Sequence, residues 1–211
     1  KKTKTGKKIS EKKEKLRPRR EYLNTLLNRP EQPRPTEIAE AEIELEINTG
    51  PILLEEVKEA IRKLKKDKAP GEDEISAELL KAEEKEIPKH LCKILQKIWE
   101  EEMPPEEWKT GLIVKIPKKG DLGKCENWRG ITLLSLTSKI FNRIILNRVS
   151  KAIENKLRKE QAGFRKGKSC LDQIFILRQI LEQSNEMNST LYALFIDFEK
   201  AFDSLDRASL W

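Results

Sequence analysis

A carboxylate interrupts a continuous apolar run near the end of the chain. Residues 191–198 read Leu-Tyr-Ala-Leu-Phe-Ile-Asp-Phe, so Asp197 stands where an apolar side chain is expected. An ionised carboxylate in such a run is unfavourable unless it is paired or bound to a metal ion. We therefore interpret Asp197 as a candidate metal ligand, although Mg²⁺ needs further oxygen ligands. The alternative is a carboxylate at the end of a strand that simply faces water.

A cationic loop is the second candidate site. Lys118 and Lys119 precede a polar turn, and Arg129 follows it. Lysine supplies a point charge and arginine a two-pronged donor for phosphate oxygens, so the loop could hold the phosphates of a nucleotide. The residues Lys-Lys-Gly-Asp at 118–121 are equally those of an ordinary turn.

The third candidate is a segment rich in glycine and basic residues before a predicted helix. Residues 160–169 read Glu-Gln-Ala-Gly-Phe-Arg-Lys-Gly-Lys-Ser. Glycines and cations next to a helix N-terminus suit the phosphate backbone of a nucleic acid. Phe164 could stack on a base or anchor the loop in the core, and we prefer the core role.

Hydrophobic periodicity predicts the elements that position these segments. Apolar residues at three- and four-residue spacing predict helices over 53–64, 76–84, 89–102, 138–157 and 169–183. Alternation predicts strands at 111–117 and 130–134, which would pair as an antiparallel hairpin. The run at 191–198 predicts a buried central strand. The predicted fold class is α+β, a mostly helical region with a small hairpin that leads into this strand.

The apolar side chains of these helices are predicted to face a core. In the third helix they are Leu91, Ile94, Leu95, Ile98 and Trp99. In the last helix they are Leu171, Ile174, Phe175, Leu177 and Leu181. Ser169 and Asp172 predict a capping box where the last helix begins.

Charge is distributed unevenly along the 211 residues, which carry a formal net charge of +7. Residues 1–20 have a net charge of +9, residues 31–60 of −7 and residues 121–180 of +8. Basic blocks attract polyanions such as nucleic acids, but lysine-rich segments are as often solvated surface. We predict a poorly ordered linker over residues 1–50, basic and then acidic and proline-rich, and an ordered domain over 51–211.

Several classes of protein are disfavoured by the composition. Three widely spaced cysteines and a single histidine, His90, argue against a disulfide framework and a structural zinc site. No apolar run suits a membrane span and no secretory signal opens the sequence, so we expect an intracellular protein of the nucleus or cytoplasm. The chain begins with lysine and its first methionine is Met103, which suggests an internal piece of a longer protein.

Four segments together resemble blocks of the reverse transcriptases of non-LTR retrotransposons. Residues 68–75, Lys-Ala-Pro-Gly-Glu-Asp-Glu-Ile, are similar to that family's Lys-Ala-Pro-Gly-Pro-Asp-Gly-Ile. Residues 127–134, Asn-Trp-Arg-Gly-Ile-Thr-Leu-Leu, resemble its Asn-Tyr-Arg-Pro-Ile-Ser-Leu-Leu, most closely in the RTE-like branch. Residues 161–165 and 195–203 match two further blocks. The blocks follow the family's order, which indicates the fingers and the start of the palm of a right-hand polymerase.

The resemblance implies an RNA-directed DNA polymerase that uses two Mg²⁺ ions. Asp197 would be the first metal-binding carboxylate of the palm, and the carbonyl of Phe198 would be an additional metal ligand. The ions would activate the primer 3′ hydroxyl and stabilise the leaving pyrophosphate. The family's Asp-Asp hairpin, which supplies the other carboxylates, would lie beyond Trp211, so we expect the 211 residues alone to be inactive.

The resemblance also implies the binding residues and the partners. Lys118 or Lys119, with Arg129, would hold the triphosphate of a deoxynucleoside triphosphate. Phe202 would lie under the sugar of that nucleotide and exclude a 2′ hydroxyl. Four residues would grip the RNA template on which a DNA primer is extended: Gln161, Gly163, Phe164 and Arg165.

Departures from the pattern leave alternatives open. Glu72 and Glu74 replace the proline and the second glycine of the first block, which adds negative charge where a template would pass. A decayed or host-adopted copy could serve as a nucleic-acid-binding or interaction module without catalysis. A purely structural helical scaffold would explain the apolar stripes but not Asp197.

Overall fold

The computed structural model describes residues 12–28, 44–198, 201–202, 205–206 and 210. The chain divides into two units, residues 1–30 with 41–152 and residues 31–40 with 153–211. The helices and strands are α1 (Lys12–Leu27), α2 (Leu54–Arg62), α3 (Ala77–Lys81), α4 (Glu86–Glu101), β1 (Leu112–Pro117), β2 (Trp128–Leu133), α5 (Leu136–Ile153) and α6 (Cys170–Glu186). Short 3-10 helices span Glu106–Lys109 and Cys125–Asn127. The expected mixture of helices with a small antiparallel two-stranded sheet is confirmed.

The first unit is built around the apolar stripes of α2, α3, α4 and α5. Each stripe repeats at helical spacing, so its side chains meet in one cluster when the helices pack. The buried members of the cluster are Ile52, Val57, Ala60, Ile61, Ala77, Leu80, Leu91, Cys92, Leu95, Ile98, Leu136, Ile140 and Ile144. The helices predicted over 53–64, 76–84, 89–102 and 138–157 are therefore confirmed, with shifted ends.

Two side chains of α4 differ from the predicted inward set. Ile94 is 54% exposed, whereas Cys92 is buried and its thiol lies 3.7 Å from the carbonyl oxygen of Ile52. The buried stripe is therefore not narrower than the predicted one but is rotated around the helix, away from Ile94 and towards Cys92.

The second unit contains α6, whose N-terminus has the predicted capping box. The backbone N–H of Ser169 donates to the Asp172 carboxylate at 3.2 Å, and the Ser169 hydroxyl accepts from the backbone N–H of Leu171 at 3.1 Å. The apolar side chains of α6, however, are not buried; Leu171 is 73% exposed. The capping residues determine where the helix begins, but burial requires a packing partner, which the described residues do not provide.

Residues 191–198 differ from the prediction of a buried central strand. They form no strand, and their large apolar side chains are exposed. A central strand needs hydrogen-bonded neighbours on both sides, and β1 and β2 pair only with each other among the described residues. The composition of the run is that of a strand, but its backbone has no partner in the described part of the chain.

The helix α1 lies within residues 1–50, for which the sequence predicts a poorly ordered linker and no helix. It spans Lys12–Leu27 with Pro18 inside it, and it lies in the first unit near the 3-10 helix at Cys125–Asn127. Among the described residues, no helix is both long and apolar enough to cross a membrane.

Candidate nucleotide and nucleic-acid site

The hairpin of β1 and β2 brings two predicted site residues together. The strands pair antiparallel, with Ile116 opposite Arg129. The backbone N–H of Lys118 donates to the carbonyl of Asn127 at 2.8 Å, which extends the ladder by one step. Cross-strand partners share a face and alternate residues return to it. Arg129 therefore shares a face with Ile116, and Lys118 lies at the end of that face.

The cations of this hairpin are accessible. Arg129 and Lys119 are exposed and Lys118 is half-buried. Within the described part of the chain, their side chains form no hydrogen bond or ion pair. The acid within the turn, Asp121, accepts a hydrogen bond from the backbone N–H of Gly123 at 2.8 Å and so shapes the turn itself. Three cationic groups thus remain able to meet an anion such as a phosphate.

The opposite face of the hairpin is occupied by α1. Trp128 lies on that face, and its ring has the Arg19 guanidinium 4.9 Å and the Lys115 ammonium 5.2 Å from its centroid. These distances are within the range of cation–π contacts. A Cβ atom added to Gly130 would lie 4.0 Å from the side chain of Leu23. The helix α1 therefore lies against the face of the hairpin that carries Trp128 and Gly130, and Arg129 is exposed among the described residues.

The first and second family-like blocks are in contact. A Cβ atom added to Gly71 would lie 2.7 Å from the backbone nitrogen of Ser135 and 2.8 Å from the carbonyl carbon of Leu134. Non-bonded contacts of a Cβ atom are essentially never this short, so only glycine fits at this position. The Lys-Ala-Pro-Gly segment is thereby held against the end of β2.

The turn after Gly71 contains a strained residue. Glu74 has φ of 56°, in the left-handed region, and its backbone N–H donates to the carbonyl of Gly71 at 3.2 Å. A side chain with a Cβ atom is disfavoured in this region. Glu74 occupies the position at which the similar family block has its second glycine, so the turn keeps a glycine-like backbone without glycine.

In the second unit, Arg165 binds the residues that follow α5 rather than pointing to solvent. Its side chain is 11% exposed and donates to the Glu154 carboxylate at 2.9 Å. It also donates to the carbonyl oxygens of Glu154 at 3.2 Å and Arg158 at 2.8 Å. Carbonyls at and beyond a helix C-terminus lack partners within the helix. Arg165 therefore shapes the loop that carries the other residues of its block.

Phe164 does not anchor this loop in the core. It is 100% exposed with φ of 56°, and its ring lies edge-on to the exposed ring of Phe202, with centroids 6.2 Å apart. The preferred core role is wrong, because Phe164 lies within an exposed turn. In the described part of the chain, no atom beyond its neighbours would lie within 4 Å of a Cβ added to Gly163. The backbone N–H of Gln161 donates to the carbonyl of Arg158 at 3.1 Å.

Asp197 and Phe198 are exposed in the second unit. The described residues contain no group of three or more His, Cys, Asp or Glu side chains that could hold a metal ion. Since Mg²⁺ prefers several oxygen ligands, Asp197 does not fit a magnesium site without other carboxylates. The sequence predicts that Asp197 lies in a buried strand, whereas in the structure its side chain is exposed.

Sequence reasoning missed the contacts that organise the hairpin. The Trp128 indole N–H donates to the carbonyl of Leu122 at 2.9 Å, and the Asn127 side-chain amide donates to the carbonyl of Asp121 at 2.8 Å. The available signal was the Asn-Trp pair beside the cationic loop, because both side chains carry donors that a polar turn can use.

Comparison with known proteins identifies the kind of sequence to which the chain is similar. Residues 116–211 match the family described as reverse transcriptase (RNA-dependent DNA polymerase). The chain is 33% identical over 167 residues to a probable RNA-directed DNA polymerase from transposon BS of Drosophila melanogaster, covering 78% of this chain and 18% of the relative. It is 28% identical over 170 residues to the RNA-directed DNA polymerase from mobile element jockey of the same species, covering 79% and 19%.

A vertebrate sequence shows the same relationship. The uncharacterized 149 kDa protein of transposon TX1 from Xenopus laevis is 28% identical over 160 residues, covering 76% of this chain and 12% of the relative. The chain thus spans less than one fifth of the length of these curated relatives.

Proposed function

The chain belongs to the reverse transcriptase family of non-LTR retrotransposons, and we propose that its residues form the fingers and the opening palm segment of an RNA-directed DNA polymerase. The observation that supports this most directly is the hairpin, whose register places Lys118 and Arg129 as diagonal neighbours on one face with Arg129 exposed. These residues flank a polar turn in the sequence, and the antiparallel pairing makes them neighbours. Phosphoryl transfer depends on positioning and neutralising phosphate charge, which is the chemistry that such a face offers.

The proposed role of this face is to bind the triphosphate of an incoming deoxynucleotide. Arg129 would bind phosphate oxygens through its planar guanidinium, and Lys118 or Lys119 would add a point charge. Phe202 would lie under the sugar. The accessible cations of the hairpin support the first part of this proposal.

The proposed role of the segment around Asp197 is to begin the palm. Residues 191–198 would become a strand once further strands pair with them, since their composition is that of a buried strand. Asp197 and the carbonyl of Phe198 would then contribute ligands for Mg²⁺, together with carboxylates from elsewhere. The exposed apolar side chains of this segment and of α6 support a role in a larger assembly of strands and helices.

The proposed role of the loop at 161–165 is to contact the RNA template, which pairs with a DNA primer. Phe164 and Gly163 are exposed, so a base could stack on the ring and a backbone could approach the glycine. Gln161 would add a polar contact. Arg165 would act mainly through the shape that it gives to the loop, since its guanidinium is already bonded within the second unit.

The hairpin assignment is tested by polyanion binding to the 211-residue chain. A fluorescent RNA–DNA template–primer is titrated by anisotropy at several salt concentrations, with the triple variant Lys118→Ala/Lys119→Ala/Arg129→Ala. We expect weaker binding and a slope of log K against log salt that is shallower by roughly one for each phosphate that the variant no longer neutralises. The matched control replaces three exposed cations elsewhere: Lys85→Ala/Lys93→Ala/Arg143→Ala. Equally weakened binding in both triple variants would contradict a specific role for the hairpin.

The catalytic assignment is tested in a protein that extends beyond Trp211. Where the transcript that encodes Trp211 continues in frame, the longer protein is assayed for primer extension on an RNA template, with Asp197→Asn as the comparison. We expect extension that depends on Asp197, and none by the 211 residues alone. A longer protein that binds template–primer but extends no primer would be a binding module, and the polymerase proposal would be wrong. Extension that survives Asp197→Asn would overturn the proposed role of Asp197.

A further inference from the structure

We infer that Asn127 and Trp128 are positioning residues that hold the cationic turn at residues 118–122 in the shape required to bind a triphosphate. This inference rests on the proposed function of the hairpin and extends it to residues that carry no charge. The two side chains act on the turn from the start of β2, and Trp128 is itself fixed by contacts on the far face of the hairpin.

Three hydrogen bonds connect the turn to these two residues. The backbone N–H of Lys118 donates to the carbonyl of Asn127 at 2.8 Å. The Asn127 side-chain amide donates to the carbonyl of Asp121 at 2.8 Å, and the Trp128 indole N–H donates to the carbonyl of Leu122 at 2.9 Å. The turn is therefore held by hydrogen bonds at its first residue, Lys118, and at the consecutive carbonyls of Asp121 and Leu122.

The backbone of the turn passes close to Asn127. Gly120 has φ of 110°, a conformation that side chains rarely adopt, and a Cβ atom added to it would lie 3.2 Å from the Asn127 side-chain nitrogen. Glycine is the residue that allows both this backbone angle and this approach. The tie between Asn127 and Asp121 thus depends on the glycine that follows Lys119.

Trp128 is held so that its N–H points to the turn. Arg19 of α1 and Lys115 of β1 lie 4.9 Å and 5.2 Å from the centroid of its ring. The indole N–H can only donate, so its partner must be an acceptor such as the carbonyl of Leu122. The contacts of the ring and the hydrogen bond together make Trp128 a link between α1 and the cationic turn.

A turn whose backbone is already held in its binding conformation binds phosphates more tightly than a flexible turn does. Binding to a flexible loop must include the loss of conformational freedom of the loop, whereas a preorganised loop has already lost it. Removal of one tie should therefore weaken phosphate binding even though no charge is removed.

The test compares Trp128→Phe with Trp99→Phe in the 211-residue chain. Trp128→Phe keeps an aromatic ring for the cations and removes the N–H that reaches Leu122. The matched control removes an equivalent bond that does not involve the turn, because the indole N–H of Trp99 on α4 donates to the carbonyl of Thr49 at 3.2 Å. A second variant, Asn127→Ala, removes the bond to Asp121 without altering Trp128.

Two quantities are measured by NMR on isotopically labelled protein. The first is hydrogen exchange of the Lys118, Gly123 and Lys124 amides, which we expect to accelerate in Trp128→Phe and Asn127→Ala but not in Trp99→Phe. The second is the dissociation constant for inorganic tripolyphosphate, followed at the amides of Lys119 and Arg129. We expect this constant to rise about three- to tenfold, the ratio that corresponds to the removal of one hydrogen bond.

The outcomes separate this inference from the proposed function. If Trp128→Phe and Asn127→Ala bind tripolyphosphate as wild type does, while Lys118→Ala/Lys119→Ala/Arg129→Ala binds less, the positioning role is wrong and the cationic site stands. If wild type does not bind tripolyphosphate at these amides, both assignments are wrong. If Trp99→Phe weakens binding as much as Trp128→Phe, the effect is one of general stability and the inference is overturned.

Discussion

Arg148 and Glu56 lie 92 residues apart in sequence and form a doubly hydrogen-bonded ion pair in the first unit. The distances are 2.8 Å from Nε to Oε1 and 2.7 Å from Nη2 to Oε2. The Arg148 side chain is only 5% exposed, and its guanidinium also donates to the carbonyls of Asn48, Gly50 and Pro51. One side chain of α5 therefore holds both the segment that enters α2 and the first turn of α2.

The first prediction concerns the loss of this guanidinium. Arg148→Met should lower the free energy of unfolding by about 3 kcal/mol, because the Glu56 carboxylate and three carbonyls lose their donor while the volume is largely kept. Urea unfolding followed by circular dichroism measures the change. Arg143→Met, at an exposed position of the same helix, should change stability by less than about 0.5 kcal/mol. Similar losses in both variants would mean that the ion pair contributes nothing specific.

The second prediction concerns pH. The hydrogen bond from Arg148 holds the pKa of the Glu56 carboxyl below its ordinary value, and burial opposes this only in part. A carboxyl whose pKa is lower in the folded state stabilises the fold above its unfolded pKa, about 4.3. This contribution is lost as the pH falls through the folded pKa.

The corresponding measurement compares wild type with Glu56→Gln across pH. We expect wild type to be the more stable protein above about pH 5, and the difference to shrink steadily as the pH is lowered towards about 3. Other carboxyls with lowered pKa values, such as those of Glu78 and Glu83, titrate in both proteins and cancel in the difference. A difference that stays constant with pH would show that Glu56 has the same pKa in both states.

The third prediction concerns the glycine where two family-like blocks meet. Gly71→Ala should lower the free energy of unfolding by about 1–3 kcal/mol, since the added methyl would overlap the backbone of Leu134 and Ser135. Gly163→Ala is the matched control, because among the described residues no atom beyond the chain neighbours lies within 4 Å of the added Cβ. Thermal unfolding of the two variants should differ clearly, and equal midpoints would contradict the close contact at Gly71.

The hairpin and the helices α2 to α5 of the first unit were predictable because their sequence patterns are local and repeat. The spacing of Val57, Ala60 and Ile61 predicts α2 and its buried face, and the structure has both. The alternation of Leu112 and Val114 predicts β1 without showing what covers either face. A sequence pattern does not show which segment pairs with a strand or packs against a helix. The strand predicted at 191–198 and the buried face predicted for α6 are not found among the described residues.

The contacts that shape the candidate site were not predictable for a related reason. Trp128 and Arg165 owe their roles to contacts with residues at irregular sequence separations, such as Leu122 in one case and Glu154 in the other. No periodicity marks such a bond. The role of Arg148 was still harder to predict from the sequence, because a buried arginine on the core side of α5 contradicts the usual rule that charged residues are exposed.

The last prediction concerns the strained residue of the first block. Glu74 has φ of 56°, and replacement by glycine removes the unfavourable contact of its Cβ atom at the expense of more freedom in the unfolded chain. Because left-handed backbone costs a side-chain-bearing residue about 1–2 kcal/mol, Glu74→Gly should raise the free energy of unfolding by about 0.5–1 kcal/mol. Glu72→Gly removes the same charge at a neighbouring position whose φ is not positive, so it should be neutral or destabilising. Urea unfolding of both variants measures the difference: a loss of stability in Glu74→Gly as large as that in Glu72→Gly would show that the backbone at residue 74 is not held in the left-handed region.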